Sequence, residues 1–500
     1  MKTIKILILF TGLTVGLLLQ SCNKGLLDVS PPDQLSTTIF WQTEADADLA
    51  LTGLYNYLYE PGGNWANAQY TIMGWDTYTD DCYGQHDYGG GRSATSSGIT
   101  PNSGAYVLNY YNNNYRAIAA INSFLSNVDK VLTGEKLERY KGEAYFLRGF
   151  NYLWLAALYG NVPIITEDPF ALNFSEGKAK SPRADVYKQV EEDLDKAIAV
   201  LPDEAYATGH VTKGTAQGYK VRALMYQKKF EEAALLAKQI IDDGKFSLNP
   251  NYAENFYKPG QESSPEIMFS VRFMKPNVVH GDGAALVVTM QAWAGYVGTQ
   301  DLINEYETGD PRKVMTFFQA GDGPAEGWPF SNPAIATPGE GSWSAGFYLP
   351  RKWMTPGTWN PTYGVLGDQD YVLLRYADIK LMYAEAQNEA SGPDASVYQQ
   401  VNEVRARPGV NMPALAAGLS KDQMREKIRH ERRVEFPFEG LRYFDLRRWG
   451  IATEKLNGFV QNPTVAPDIK IKYEDKYEFW PIPQTEIDRN RGALEQNPGY

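Results

Sequence analysis

The sequence predicts a mainly α protein in which helical hairpins form a scaffold and a large loop-rich, mostly irregular lobe is set into it. Three observations carry that reading. Apolar residues recur at three- to four-residue spacing in a succession of stretches running from 43–58 to 421–436, the period of an amphipathic helix. Two of those stretches, 212–228 and 230–243, are short, adjacent and rich in alanine, which lets paired helices approach closely. Residues 61–110 and 250–370 show no sustained helical period, yet they hold Trp65, Trp75, Trp293, Trp328, Trp343, Trp353 and Trp359, seven of the 11 tryptophans. Loops of that length inside a compact chain are uncommon unless they bind something or are disordered, and this aromatic content argues against disorder.

Composition narrows the function before any motif does. Hydrophobic residues at 43% and charged residues at 22% are ordinary for a globular chain. The net charge of −12 argues against nucleic acid, whose phosphates need basic surface. The 4 histidines, His86, His210, His280 and His430, are scattered and read as polar surface or satisfied core residues. No His-Glu-x-x-His, P-loop, Gly-x-Ser-x-Gly or dinucleotide fingerprint occurs. No enzyme activity, cofactor or metal is therefore expected.

Residues 1–21 read as a targeting segment. Lys2 and Lys5 precede the apolar run Ile6 to Leu19, which is too short for a comfortable membrane span. Leu19-Gln20-Ser21-Cys22 resembles a lipoprotein signal-peptidase site with Cys22 as the acylated residue; the alternative is an ordinary secretory signal with a chance cysteine. If Cys22 carries lipid, Cys82 has no partner and no intrachain disulfide can form. Residues 22–40 read as a tether, kept extended by Pro31 and Pro32.

Residues 41–500 then read as one domain. Thr43 is a plausible N-cap, followed by the stripe Ala47, Leu51, Leu54 and Leu58. Further helices are expected over Tyr111–Val131, Glu135–Tyr159 (stopped by Gly160), Pro182–Leu201, Thr212–Lys228 and Phe230–Asp243. The pair 212–243, with Ala223, Tyr226, Phe230, Ala233, Ala234 and Ala237, resembles a tetratricopeptide unit. A second helical group is expected at Tyr371–Ala390, Asp394–Arg407 and Lys421–Phe436. The scaffold thus takes about 41–60, 111–249 and 371–450, the loop-rich lobe about 61–110 and 250–370, and a tail 451–500.

The stretch Met424 to Gly450, MREKIRHERRVEFPFEGLRYFDLRRWG, is the densest in signals. Met424, Ile428, Glu431 and Glu435 share one helical face, so two carboxylates ride on an inward stripe. Pro437 ends the helix and Gly440 allows the turn. Arg432, Arg433, Arg442, Arg447 and Arg448 lie close by in sequence as possible partners, since buried carboxylates need paired charge. Glu431 and Glu435 read either as an acid/base pair or as a buried ion-pair network fixing how two helices join; the second is favoured, because such networks are often architectural.

This stretch also resembles the C-terminal signature of the SusD/RagB family of lipid-anchored outer-membrane nutrient-binding proteins, where no catalysis is assigned to it. The resemblance extends through CNKGLLDVSPPDQLSTTIFWQTEADADLALTGLYNYL, the Phe146-Leu147-Arg148 helix with its Gly160-Asn161-Val162-Pro163 exit, GTQDLINEYETGDPRK, LLRYADIKLMYAEAQNEA, VNEVRARPG, Phe479-Trp480-Pro481-Ile482-Pro483 and the closing Gln496-Asn497-Pro498-Gly499-Tyr500. It implies a SusD-like fold whose tail packs back on the helices. It also implies a lipid anchor at Cys22, placement on the extracellular face of the outer membrane, and glycan capture beside a SusC-like TonB-dependent transporter.

The binding surface is expected where the two irregular regions meet across the scaffold. Tyr83, Tyr88 and Arg92 are the candidates from the first region, and Trp293, Tyr296, Trp328 and Trp343 from the second. Sugar rings lie well on aromatic faces, while their hydroxyls need Asp, Asn or Arg partners. Other readings stay open. Asp76, Asp80 and Asp81 beside Trp75 and Tyr78 could serve a glycoside hydrolase, although that chemistry needs two carboxyls at a set separation. Asp80-Asp81 could hold a hard cation such as calcium. The helical repeats would also suit a surface adhesion or scaffold protein.

Overall fold

The structure, a computed structural model, describes residues 40–58, 72–84, 91–172, 176–279, 296–318, 348–353 and 367–500. The targeting segment and Cys22 therefore lie outside the described residues, as does all but the end of the tether.

The helices form where the apolar period places them. Helix α1 (Glu44–Asn56) starts at Thr43, whose backbone N–H donates to Asp46 Oδ2 at 2.7 Å in a capping box. It buries Ala47, Leu51 and Leu54. Helices α2 (Gly104–Asn127), α3 (Gly134–Tyr159), α4 (Arg183–Val200), α5 (Lys213–Tyr226) and α6 (Phe230–Asp242) follow. Gly160 stops α3 at φ +73°, a conformation with little penalty only for a residue without Cβ. The second group comprises α7 (Tyr376–Ser391), α8 (Ala395–Arg405), α9 (Lys421–Glu435) and α10 (Arg442–Arg448).

Helices α2 to α6 pack successively, each against the next, and α6 packs against α7, which also packs against α8 and α9. The array is interrupted in sequence between residues 242 and 376 but continuous in space. Where α5 meets the interrupting segment it carries Gly218; a Cβ there would sit 2.6 Å from Leu374 Cδ2, so the close approach depends on glycine.

The strands among the described residues are short, and all but the last lie in the two irregular regions, which are inserted between scaffold helices. Strands β1 (Cys82–Gly84) and β3 (Tyr296–Gly298) pair antiparallel, as do β2 (Ile267–Val271) with β6 (Tyr371–Arg375) and β4 (Phe317–Phe318) with β5 (Leu349–Pro350). Strand β6 corrects one expectation: the helix placed at Tyr371–Ala390 begins only at Tyr376. A short apolar run such as Tyr371-Val372-Leu373-Leu374 suits either state, and the ladder offered by β2 decides it. Two smaller corrections concern the first irregular region. It contains the 3-10 turn Ile72–Tyr78 and the short helix Gly91–Ser97, and α2 starts at Gly104 rather than Tyr111.

The tail packs back onto the helices as expected. Trp480 is fully buried; its backbone N–H donates to Leu158 O at 2.7 Å and its Nε1 to the Tyr443 hydroxyl at 2.8 Å. Asn497 Nδ2 donates to the last carbonyl of α3, Tyr159 O, at 2.8 Å. Trp75 stacks on Tyr443 at 5.9 Å and packs on Trp480 at 5.6 Å, and Trp353 is 2% exposed with Nε1 donating to Phe438 O. These two loop tryptophans are thus packing residues and not part of an exposed aromatic surface. Trp480→Ala should destabilise the fold by about 3–5 kcal/mol, the usual loss for a buried tryptophan. Urea denaturation followed by circular dichroism reads this; an unchanged midpoint would show that the tail is not part of the cooperative unit.

Candidate binding site

The inward stripe of α9 organises the region beneath the inserted loops. Met424, Ile428, Glu431 and Glu435 are all fully buried. Glu435 Oε1 accepts from Arg375 Nη1 at 2.7 Å and Arg407 Nη2 at 2.8 Å, and its Oε2 from Arg312 Nη1 at 2.9 Å. Glu431 accepts from Arg312 at 2.6 Å and Arg405 at 2.8 Å. Glu266 closes the cluster, accepting from Arg375 and from Arg407 at 2.7 Å. Burial alone would raise the Glu435 carboxyl, but Arg407, Arg375 and Arg312 outweigh it and hold the group well below the carboxylate range. Every carboxylate here faces guanidinium groups, so Glu431 and Glu435 fix architecture.

The partners differ from those that proximity in sequence suggested. Residues one apart on a helix do not face each other, so the arginines beside Glu431 and Glu435 point elsewhere. Arg432 pairs with Asp378 at 2.7 Å and Asp445 at 2.8 Å, and Arg448 pairs with Glu385. Arg433 reaches Asp81 at 2.8 Å, Asp301 at 2.7 Å and Glu305 at 2.9 Å, while Arg442 reaches Asp80 at 2.6 Å. Arg312, Arg375, Arg405 and Arg407 come instead from three distant segments.

After α9 the chain turns sharply. Phe438 takes φ +62°, unusual for a bulky residue, and is held there from both sides. Its N–H donates to Asp76 Oδ2 and its carbonyl accepts from Trp353. Lys352 Nζ donates to Pro437 O at 3.0 Å and to Glu439 at 2.5 Å. Burial lowers this ammonium to about 8, with Glu439 acting in the opposite sense.

These ion pairs set the base of the two inserted regions. Asp80 and Asp81 immediately precede β1, so Arg433 and Arg442 anchor that strand to α9 and α10. Thr299, immediately after β3, donates its hydroxyl to Asp80 O at 2.5 Å and its N–H to Asp81 O at 3.0 Å. Gln461 Nε2 donates to the carbonyls of Thr77, Thr79 and Cys82 at 2.7–2.8 Å. The ladder pairs Tyr83 with Val297 and Gly84 with Tyr296, so the first and second inserted regions meet at one place. Asp76, Asp80 and Asp81 are each at most 2% exposed and engaged as described, which is unlike two carboxyls flanking an open sugar site. Burial pushes Asp81 up to about 6 against the pull of Arg433 and Arg442.

Of the sequence candidates, the structure brings Tyr83 and Tyr296 together, one on each strand of the ladder. Both are buried, at 3% and 5% exposure, and the register sends their side chains to opposite faces of the ladder, so neither offers an open ring face. Arg92 lies in the helix Gly91–Ser97, with its side chain outside the description; Tyr88, Trp293, Trp328 and Trp343 lie outside the described residues. The residues that sequence reasoning did not single out are Arg312, Arg375, Arg405, Arg407, Glu266 and Lys352.

The SusD family model matches residues 241–500, more than half of the chain. The chain belongs to this family. A further family model, described as starch-binding associating with outer membrane, matches residues 26–224. Among characterised proteins, the chain is 24% identical over 521 residues to SusD-like protein P2 of Formosa agariphila, covering 98% of this chain and 99% of that protein. It is 24% identical to a SusD-like protein of Bacteroides ovatus, covering 87% of this chain and 81% of that one. Among solved structures, a SusD-like carbohydrate binding protein from Bacteroides fragilis superposes with a TM-score of 0.77 at 25% identity, covering 90% of this chain and 99% of that one. A laminarin binding SusD-like protein shares the fold at a TM-score of 0.71 and 24% identity, covering 92% of this chain and 100% of that one.

The charged base should make the fold acid-sensitive. Glu435 and Asp378 have ordinary values of 4.5 and 3.8; both are lowered in the fold, Asp378 to about 2. The unfolded chain therefore binds more protons than the native one below about pH 4.5, and their stabilisation is lost as pH falls toward 2. Asp81 acts oppositely, favouring the fold slightly as pH drops through about 6. Urea midpoints should hold or rise from pH 7 to 5 and fall steeply below 4.5. Glu435→Gln, which leaves buried guanidinium groups underpaired, should cost about 3–5 kcal/mol at pH 7 and flatten the acid limb; a wild-type-like acid limb in that variant would overturn the assignment.

Proposed function

We propose that this protein captures glycan at the extracellular face of the outer membrane and passes it to a SusC-like TonB-dependent transporter. Membership of the SusD family together with the meeting of both inserted regions at the β1–β3 ladder carries this reading. The ladder is anchored by buried ion pairs to α9 and α10, so aromatic side chains from two loops far apart in sequence would be presented on a rigid base. The neighbours described as carbohydrate binding and laminarin binding support saccharide as the ligand class, and the family description points to the outer membrane.

In this reading the rings that meet the sugar are Trp293, Trp328, Trp343 and Tyr88, with Arg92 for hydroxyl contacts. Removing one stacked ring should cost about 1–2 kcal/mol, roughly tenfold in dissociation constant. Trp293→Ala and Trp328→Ala should each weaken binding in a calorimetric glycan panel while leaving the melting temperature nearly unchanged. Variants that melt early, or bind as wild type, would remove these rings from the site.

Cys22 carries the lipid in this reading, and several acyl chains hold a protein stably at a bilayer where one does not. Cys22→Ala should abolish palmitate incorporation, and mild-detergent pull-down of the wild type should recover a much larger outer-membrane protein in near-equal amount. Recovery of the lipoprotein alone, with glycan affinity intact, would favour an adhesion or scaffold role instead.

A further inference from the structure

A second cleft lies away from the β1–β3 ladder, between α2, the segments 163–172 and 176–178 after α3, and residues 486–494 of the tail. It encloses about 530 Å³, within the range of small-ligand sites. One wall is the face of α2 bearing Asn112, Tyr115 and Arg116, which helical spacing brings together, with the buried Tyr111 packed against Tyr115. The Tyr111 and Tyr115 rings lie 4.8 Å apart, and the Tyr115 hydroxyl is fixed by donating to Pro163 O at 2.7 Å. The opposite wall presents Glu176, Arg489 and Arg491.

The cleft is built into the fold. Gly177 lies so close to the tail that a Cβ would fall 2.2 Å from Asn490 O, and the next N–H, of Lys178, donates to Asn490 Oδ1 at 2.7 Å. The two walls formed by 176–178 and the tail are therefore locked together. Arg491 takes φ +53°, a conformation that bulky residues rarely adopt. Phe170, in the segment 163–172, is 74% exposed.

The chemistry of the lining selects the ligand. Cations and carboxylates are interleaved: Lys178 pairs with Glu167 at 3.2 Å and Arg489 with Glu486 at 2.9 Å. A polyanion would meet these carboxylates, and a polycation the guanidinium groups. Mixed donors and acceptors beside aromatic and aliphatic faces suit a neutral ligand whose every polar group both donates and accepts, which describes a sugar hydroxyl.

We infer that the cleft between α2 and the tail is a second saccharide site, taking a neutral segment of about two or three sugar rings. The inference rests on the proposed glycan function but places binding at residues that reading does not use. Two sites on one chain would engage a polysaccharide together, raising apparent affinity with no new contact at either.

Calorimetry on the mature chain with neutral trisaccharides, maltotriose, laminaritriose, cellotriose and xylotriose, tests it. For the trisaccharide that binds, the expected stoichiometry is about two per chain. Trp293→Ala/Trp328→Ala should retain one site, and Asn112→Ala/Arg116→Ala the other, each with an unchanged melting temperature. Either double variant should lose at least tenfold in affinity for the parent polysaccharide. A stoichiometry of one that only the tryptophan variant abolishes would overturn the second site and leave the first. Loss of all binding only on changing Asn112 and Arg116 would keep the cleft and overturn the loop site, and binding of no trisaccharide would overturn both.

Discussion

One carboxylate, that of Glu435, joins three parts of the chain that lie far apart in sequence. It sits fully buried among three guanidinium groups: Arg312 from the segment after β3, Arg375 at the end of β6, and Arg407 just past α8. Taking such groups out of water is expensive, and the geometry must be near-complete for their attraction to offset that. Here each charge has more than one partner, and Glu266, Asp310, Glu431 and Glu439 supply further acceptors. An arrangement of this kind tolerates little displacement, so it fixes the relative placement of the second inserted region and the helical array more narrowly than apolar contact alone would.

A second set of ion pairs extends the same logic outward. Arg433 and Arg442 face Asp80 and Asp81, which carry the first inserted region, while Arg433 also reaches Asp301 and Glu305 from the second. One short stretch of sequence, Glu431 to Arg442, therefore looks inward to the scaffold and outward to both loops. The hydrophobic core does the complementary work: Trp75, Tyr443, Phe444 and Trp480 gather the first loop, α10 and the tail into one aromatic cluster.

Much of this was legible in the sequence because helical period is a local signal. The stripes of α1, α3 and α9 follow from side chains three and four apart, and Gly160 marks an end for a local steric reason. The inward placement of Glu431 and Glu435 was legible for the same cause. Their partners were not, because ion pairs across 26 to 123 residues leave no local trace. The motifs that identify the family did contain them: Arg312 closes the Asp-x-Arg motif, Arg375 is the third residue of LLRYAD, and Arg405 and Arg407 lie in VNEVRARPG. Strand β6 was misread for a related reason, its state being decided by β2 a hundred residues away. Tyr83 and Tyr296 were chosen as exposed rings on composition, which does not distinguish a ring beneath a surface from one upon it.

The ladder between β2 and β6 has a consequence for how such a protein can diversify. Val271 pairs directly with Tyr371, so the two ends of the segment 272–370 lie side by side on the scaffold. A segment whose ends are already stapled can lengthen at little thermodynamic cost, since each doubling of a flexible loop adds only about 0.6 kcal/mol of closure entropy. Residues 272–370 are in this sense a cassette that brings its own anchors: a graft between relatives cut at Val271 and Tyr371 would need Arg312, Lys352 and Trp353 in the incoming segment to meet Glu431, Glu435, Glu439 and Phe438 of the framework.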